Sequence, residues 1–249
     1  LAAGRLPGMA QPHLLVEEGD VRDVVLMPGD PGRVERIAQQ CSAPTEVARN
    51  REYLVVNAQY REMPLTICST GIGSPSAAIA AEELANVGAK TLLRAGTTGA
   101  LQRGMEIGDM VIATAAAKEE GTTKRYESVA YPAAPDFGTT RALVDAAEDR
   151  NEEVHLGPVV TDDGYYAETD EYVADWEAAG LLAVEMEAAA LFTVARRRGL
   201  RAGALCTVDG NLVAGTQKTE AEAGEELPEK ARNNVERMIT VALEAATSL

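Results

Sequence analysis

The 249-residue chain is 46% hydrophobic, enough to bury a sizeable core, and a single compact domain over residues 9–249 is expected. Its 39 acidic residues outnumber 23 basic ones, and the net charge of −16 disfavours nucleic acid and anionic membranes as partners. No run reaches the roughly 18 consecutive apolar residues of a membrane span and no secretory pattern opens the chain, so a cytoplasmic protein is expected.

Residues Leu1 to Gly8 carry no periodic pattern and are read as an extension, with the natural start at Met9. Apolar runs that read as strands then alternate with helical patterns. Asp23 to Met27 precedes a helix from about Pro31, and Leu65 to Ser69 precedes a helix over Ser76 to Val87. Further strands are predicted at Thr91 to Ala95, Asp109 to Thr114, Val154 to Val160, Leu181 to Glu185 and Ala202 to Val208. Helices are predicted over Thr139 to Asp149, Glu187 to Arg198 and Leu227 to Ala246, and the acidic Thr219 to Glu226 reads as a solvated loop. The alternation predicts an α/β sandwich with a mostly parallel or mixed central sheet.

Cys41, Cys68 and Cys206 are odd in number, widely spaced and without a CxxC, so they read as reduced core residues. With only His13 and His155, a histidine-rich metal centre is excluded, and no metal is expected. The excess of 18 arginines over 5 lysines on an acidic chain suggests a salt-adapted proteome, with an ordinary acidic enzyme as the alternative.

Three glycine-rich turns follow predicted strands, where backbone N–H groups and helix N-termini can approach an anion. They are Met27-Pro28-Gly29-Asp30-Pro31-Gly32-Arg33, Ser69-Thr70-Gly71-Ile72-Gly73-Ser74-Pro75-Ser76 and Arg94-Ala95-Gly96-Thr97-Thr98-Gly99-Ala100. Singly, each reads as well as an ordinary strand-to-helix connection. Gly71-Ile72-Gly73 opens like a dinucleotide fingerprint, but Ser76 stands where the third glycine belongs, and no P-loop lysine follows any turn. Two arginines and several hydroxyls favour a small phosphate site without a nucleotide tail.

Val184-Glu185-Met186-Glu187 runs an apolar strand into a helix with two carboxylates. Such a carboxylate can accept from two vicinal hydroxyls and hold a ribose. Alternatively, both acids are first-turn residues favoured by the helix dipole. Tyr165 and Tyr166, in a loop after Asp162-Asp163, can stack on a flat heterocycle, or one of them packs into the core.

The set PH at Pro12-His13, PGDPGR, STGIGSPS, RAGTTGA, YYAE and VEMEAA, in this order, resembles the nucleoside phosphorylase-I superfamily. That superfamily includes uridine phosphorylases, hexameric purine nucleoside phosphorylases and archaeal methylthioadenosine phosphorylases. The resemblance runs from about Pro12 to the C-terminal helix. It implies a three-layer sandwich of the phosphorylase/hydrolase type and phosphate-dependent cleavage of an N-glycosidic bond to free base and ribose 1-phosphate. Inorganic phosphate is then a co-substrate, and no organic cofactor is implied.

The resemblance also assigns residues. Gly29, Arg33, Arg94 and Thr97 fall on phosphate-binding positions, and Arg51 on the arginine that a neighbouring subunit contributes. His13 falls on the histidine that reaches across to the ribose 5′-hydroxyl, and Met186 and Glu187 on the ribose positions. Thr98, Gly99, Tyr165 and Tyr166 fall around the base. Sites shared in this way imply at least a dimer, commonly assembled to a hexamer.

Purine-cleaving members carry a Ser-Asp pair after the strand ending Cys-Thr-Val, but here Cys206-Thr207-Val208 is followed by Asp209-Gly210, which leaves glycine in the acid's place. The assisting basic residue of the last helix aligns near Ala231, between Lys230 and Arg232. The uracil-reading glutamine and arginine of bacterial uridine phosphorylases align with Thr169 and Glu171. The missing purine acid favours a uridine phosphorylase, with a guanosine, inosine, adenosine or methylthioadenosine phosphorylase as the alternative. Arg94 and Glu187 are then the catalytic candidates, and Asp209 or Asp163 a displaced acid. A hydrolytic nucleosidase would not need Arg33, Arg51 and Arg94. A non-catalytic nucleoside- or phosphate-binding protein and a dinucleotide-dependent oxidoreductase complete the alternatives.

Overall fold

The computed structural model describes residues 10–216 and 229–249. The segment 1–8, the acidic stretch 219–226 and the side chains of Lys230, Ala231 and Arg232 lie outside the described residues. In chain order the elements are β1 (Val24–Met27), α1 (Pro31–Gln39), β2 (Ser42–Asn50), β3 (Tyr53–Tyr60), β4 (Met63–Cys68), α2 (Ser74–Asn86), β5 (Thr91–Ala100) and β6 (Met110–Glu119). They continue with α3 (Thr123–Tyr126), α4 (Phe137–Asp149), β7 (Val154–Asp162), α5 (Asp170–Ala178), β8 (Ala183–Glu185), α6 (Ala188–Arg198), β9 (Arg201–Asn211) and α7 (Glu229–Ala246).

The strands form one mixed sheet in the order β2-β3-β4-β1-β5-β8-β7-β6-β9, and β9 returns to pair with β5. The second half of the sheet therefore closes on itself through β5, β8, β7, β6 and β9. Period-2 alternation divides β1 between two cores. Val25 and Met27 pack with the alanines of α2 and α6, while Val24 and Leu26 pack with α1, α4 and α7. Helices thus cover both faces, the three layers expected from the sequence pattern.

The helix starts follow local chemistry. Asp30 caps α1 by accepting from the Gly32 amide at 3.0 Å, with Pro31 in the first turn, and Asp136 caps α4 by accepting from the Thr139 amide at 2.9 Å. Helix α2 differs: Gly73 precedes it without a side-chain cap, which leaves its first amides for a partner from elsewhere in the chain.

Four elements, β2, β3, the single-turn α3 and α5, were not in the predicted pattern. The β2–β3 hairpin was not predicted because β2 is an edge strand with mostly exposed residues, so no apolar alternation marks it. Helix α5 has no buried residue and hence no apolar stripe. One prediction is corrected: Arg94 to Ala100 is not a turn after a strand but the continuation of β5, because β9 pairs with it through Ala100 and β8 joins at Gly99 and Ala100. Among the cysteines, Cys68 and Cys206 are buried and Cys41 is partly exposed; all three are free.

The first two glycine turns are stitched together. The Thr70 amide donates to Pro28 O at 2.8 Å and the Gly71 amide to Gly29 O at 3.0 Å. Gly71 has φ +70°, and a Cβ there would stand 2.5 Å from Glu52 Cγ and 2.6 Å from Ser76 Oγ. Gly71→Ala is expected to destabilise the protein by about 1–3 kcal/mol from the left-handed backbone alone. Thermal unfolding checks it; an unchanged Tm would mean that the two turns are not held together as described.

Candidate active site

Arg94 lies midway along β5, level with Met27 of β1 and Ala204 of β9, and its side chain is 4% exposed. Its Nη2 is 2.5 Å from Glu187 Oε2, and its Nε is 2.8 Å from Glu185 Oε2, an ionic contact without a straight N–H···O line. Gly96 makes this possible: a Cβ there would stand 2.8 Å from the Arg94 Cζ. The third nitrogen, Nη1, is buried with no hydrogen-bond partner among the described residues.

Arg33, from the first turn of α1, approaches the same point. Its Nη1 donates to Ala95 O at 3.5 Å, and its buried Nε has no partner among the described residues. Burial, and next the Arg94 guanidinium, hold the Arg33 pKa below the ordinary value. Burial also opposes the charge on Arg94, but Glu187 and Glu185 outweigh it and leave Arg94 more basic than usual. Two neighbouring cations, Arg94 buried and Arg33 half-buried, each with buried donors unpaired among the described residues, favour an anion between them.

The two acids of the VEME segment do different work. Glu185 ends β8 and accepts from the Glu187 amide at 2.9 Å and the Ala188 amide at 2.9 Å, so it is the helix-terminus carboxylate of α6. Glu187 turns away from its own helix and accepts from the Gly73 amide at 2.6 Å, the donor left open at the start of α2. Burial holds its pKa above the usual carboxylate range, with Arg94 pulling the other way. It is a buried acceptor beside Arg94, with the charge and reach to take hydrogen bonds from a polyol. Ser74 Oγ donates to Met186 O at 3.0 Å, which fixes the residue between the two acids.

Arg33 and Glu187 therefore meet at Arg94, while Gly29 is tied to Gly71 of the second turn, Met186 lies between the two acids, and Thr97 follows Arg94 along β5. Thr98 is buried and its hydroxyl donates to Val184 O at 2.6 Å. Gly99 faces Val184 and Gly210 across the sheet. Here β9 carries a bulge: Thr98 pairs with Val208 and Gly99 with Gly210, so Asp209 is the extra residue, partly buried. A bulge re-aims side chains by one position, which bears directly on where an acid of this strand points. Asp163 is turned elsewhere, accepting from the Gly121 amide at 2.9 Å.

Tyr165 and Tyr166 stand on the rim after β7, exposed and edge-to-face at 5.0 Å, so neither packs into the core. Thr169 and Glu171 belong to the start of α5, and the Thr169 hydroxyl accepts from the Tyr172 amide at 3.2 Å. Among the described residues, neither His13 nor Arg51 makes a hydrogen bond or ion pair with Arg33, Arg94 or Glu187. The His13 ring meets Glu83 through Nδ1 at 2.7 Å, and its carbonyl accepts from Asn50 Nδ2 at 2.8 Å. Arg51 is exposed at the tip of the β2–β3 hairpin.

Two residues with a place in this region were given no role from the sequence. One is Thr161, which donates to Glu185. The other is Glu168, half-buried, with no hydrogen bond or ion pair among the described residues. Burial, and then the neighbouring Asp162, push its pKa up to about 7. A carboxyl raised in the folded state contributes stability that is complete below its unfolded value and lost as pH rises through about 7. Glu168→Gln should therefore raise Tm at pH 8 relative to the parent and leave it nearly unchanged at pH 5. Equal shifts at both pH values would contradict the assignment.

A mixed α/β sheet that sets two neighbouring arginines against a buried carboxylate offers donors for an oxyanion beside an acceptor for hydroxyls. The chain belongs to the phosphorylase superfamily, whose family model matches residues 23–247. It is 65% identical to a guanosine phosphorylase of Halorubrum lacusprofundi over 96% of this chain and 99% of that protein. The crystal structure of uridine phosphorylase from Vibrio fischeri superposes with a TM-score of 0.88 at 33% identity, covering 97% of this chain and 99% of that one. A purine nucleoside phosphorylase from Toxoplasma gondii gives a TM-score of 0.87 at 31% identity, covering 97% of each chain.

Proposed function

We propose that the chain cleaves guanosine with inorganic phosphate, releasing guanine and ribose 1-phosphate. The chain is a nucleoside phosphorylase, a pentosyltransferase. The observation that carries the phosphate-dependent reaction is the Arg33–Arg94 pair, whose buried Arg33 Nε and Arg94 Nη1 are unpartnered among the described residues while Arg94 also meets Glu187. Phosphate held there by Arg33, Arg94, Gly29 and Thr97 stabilises oxocarbenium character on the ribose and then attacks its anomeric carbon. Glu187 and Met186 orient the sugar. Arg51 and His13, which bond to none of Arg33, Arg94 and Glu187 among the described residues, complete the site of a neighbouring copy, so the working unit is at least a dimer and assembles further to a hexamer. No organic cofactor takes part.

Guanosine is favoured by the 65% identity to a guanosine phosphorylase across nearly the whole chain. Glu168 supplies a matching reader, since a carboxylate can accept from the two adjacent N–H donors of guanine while Tyr165, Tyr166, Thr98 and Gly99 enclose the ring. Asp209, re-aimed by the bulge, is the candidate acid. Uridine is the second reading, favoured by Gly210 where purine-cleaving relatives carry an acid. Base release from uridine, thymidine, inosine, guanosine, adenosine and methylthioadenosine, at low and high salt, separates them. Guanosine is expected to turn over fastest; a wide preference for uridine would overturn the assignment.

A further inference from the structure

We propose that Glu185 is a positioning residue for the phosphate half of the reaction: it holds Arg94 in its phosphate-facing orientation while Glu187 turns to the sugar. The inference rests on the phosphate-dependent reading above. Arg94 has two carboxylate anchors, and they are not equivalent. Glu187 faces the place where the ribose binds, so its acceptor capacity is shared with the sugar hydroxyls during turnover. Glu185 has no such competition. Its side chain is 1% exposed, and every bond it makes is internal: Thr161 Oγ1 donates at 2.5 Å, and the Glu187 and Ala188 amides donate at 2.9 Å.

Thr161 extends this support. It lies on β7 directly beside Glu185 of β8, and its hydroxyl oxygen also accepts from the Ala189 amide at 2.9 Å. The first turn of α6 and the end of β7 thus fix Glu185, and Glu185 at 2.8 Å from Nε fixes one edge of the guanidinium. With Nε held ionically by Glu185 and Nη2 by Glu187, Nη1 is the Arg94 nitrogen with neither a hydrogen bond nor a carboxylate contact among the described residues, and the unpartnered Arg33 Nε belongs to the neighbouring cation. Without the Glu185 charge, Arg94 would be free to rotate into a two-nitrogen pair with Glu187. Such a pair turns Nη1 away from Arg33 and occupies the sugar's acceptor at the same time.

The experiment is steady-state kinetics of full-length Glu185→Gln with guanosine and uridine, varying phosphate and nucleoside separately. The KM for phosphate is expected to rise about tenfold or more, the loss of one charge-assisted contact, while the nucleoside KM at saturating phosphate moves less than about threefold. Thr161→Val should shift the phosphate KM in the same direction by a smaller factor, and Thr161→Ser should restore it. These two variants keep the test open if Glu185→Gln fails to fold. An unchanged or lower phosphate KM, or an equal rise in both KM values, overturns the positioning role. Turnover of the parent enzyme that ignores phosphate would instead remove the reading beneath it, an outcome visible before any variant is made.

Discussion

Arg94→Ala is expected to lower kcat/KM for phosphate by at least about 10²–10³, the usual scale for losing a preorganised charge-stabilising donor. The same change should destabilise the fold. Arg94 is buried between Glu185 and Glu187, and removing one partner of a buried ion pair costs about 3–5 kcal/mol because the remaining charge has no water to recover. The loss should depend on pH. Glu187 already stands above the usual carboxylate range through burial, and Arg94 is the strongest influence opposing that rise. Without Arg94 its folded pKa moves further up, so the variant is most stable at acid pH and loses stability as pH rises. Tm measured between pH 5 and 8, alongside phosphate kinetics, checks both parts. A variant with normal phosphate kinetics would remove Arg94 from the site.

Glu187→Gln carries the second large effect. The amide keeps the size of the side chain but loses the charge that pairs with Arg94 and accepts from the sugar. Each charge-assisted hydrogen bond is worth about 1.5–3 kcal/mol, so the nucleoside KM should rise about tenfold to a hundredfold. The parent enzyme is expected to prefer ribonucleosides over their 2′-deoxy counterparts, and the variant should lose most of that preference. Kinetics with guanosine and 2′-deoxyguanosine measure it. A preference that survives the substitution would place the ribose contact elsewhere.

Both predictions concern residues visible in the sequence, and so was much of the scaffold around them. β1, α1, β4, α2, α4, α6 and α7 follow from apolar periodicity, and the structure adds caps at Asp30 and Asp136. The β2–β3 hairpin did not, because its edge strand is exposed and its tip turns at Arg51 with φ +54° instead of at a glycine. The length of β5 was also hidden, since a strand running through Arg-Ala-Gly-Thr-Thr-Gly is stabilised by pairing on both edges, which local composition does not record.

In the site, the motif residues were legible as types but their division of labour was not. The Glu185 and Glu187 carboxylates could equally have been helix-terminus residues, and the structure assigns that task to Glu185 alone. Glu187 differs because the uncapped start of α2, more than a hundred residues earlier, presents the Gly73 amide to it. Gly210 was read as the loss of an acid. The bulge at Asp209 adds a carboxylate one residue away, a feature that depends on the register between β5 and β9. Glu168 closes the YYAE motif, but only its burial beside Asp162 gives it a separate role.

The most direct test of the account is simultaneous measurement of free base and ribose 1-phosphate from guanosine and uridine, with and without inorganic phosphate. Base release should require phosphate and match ribose 1-phosphate one for one. Base release at the same rate without phosphate, accompanied by free ribose, would contradict it.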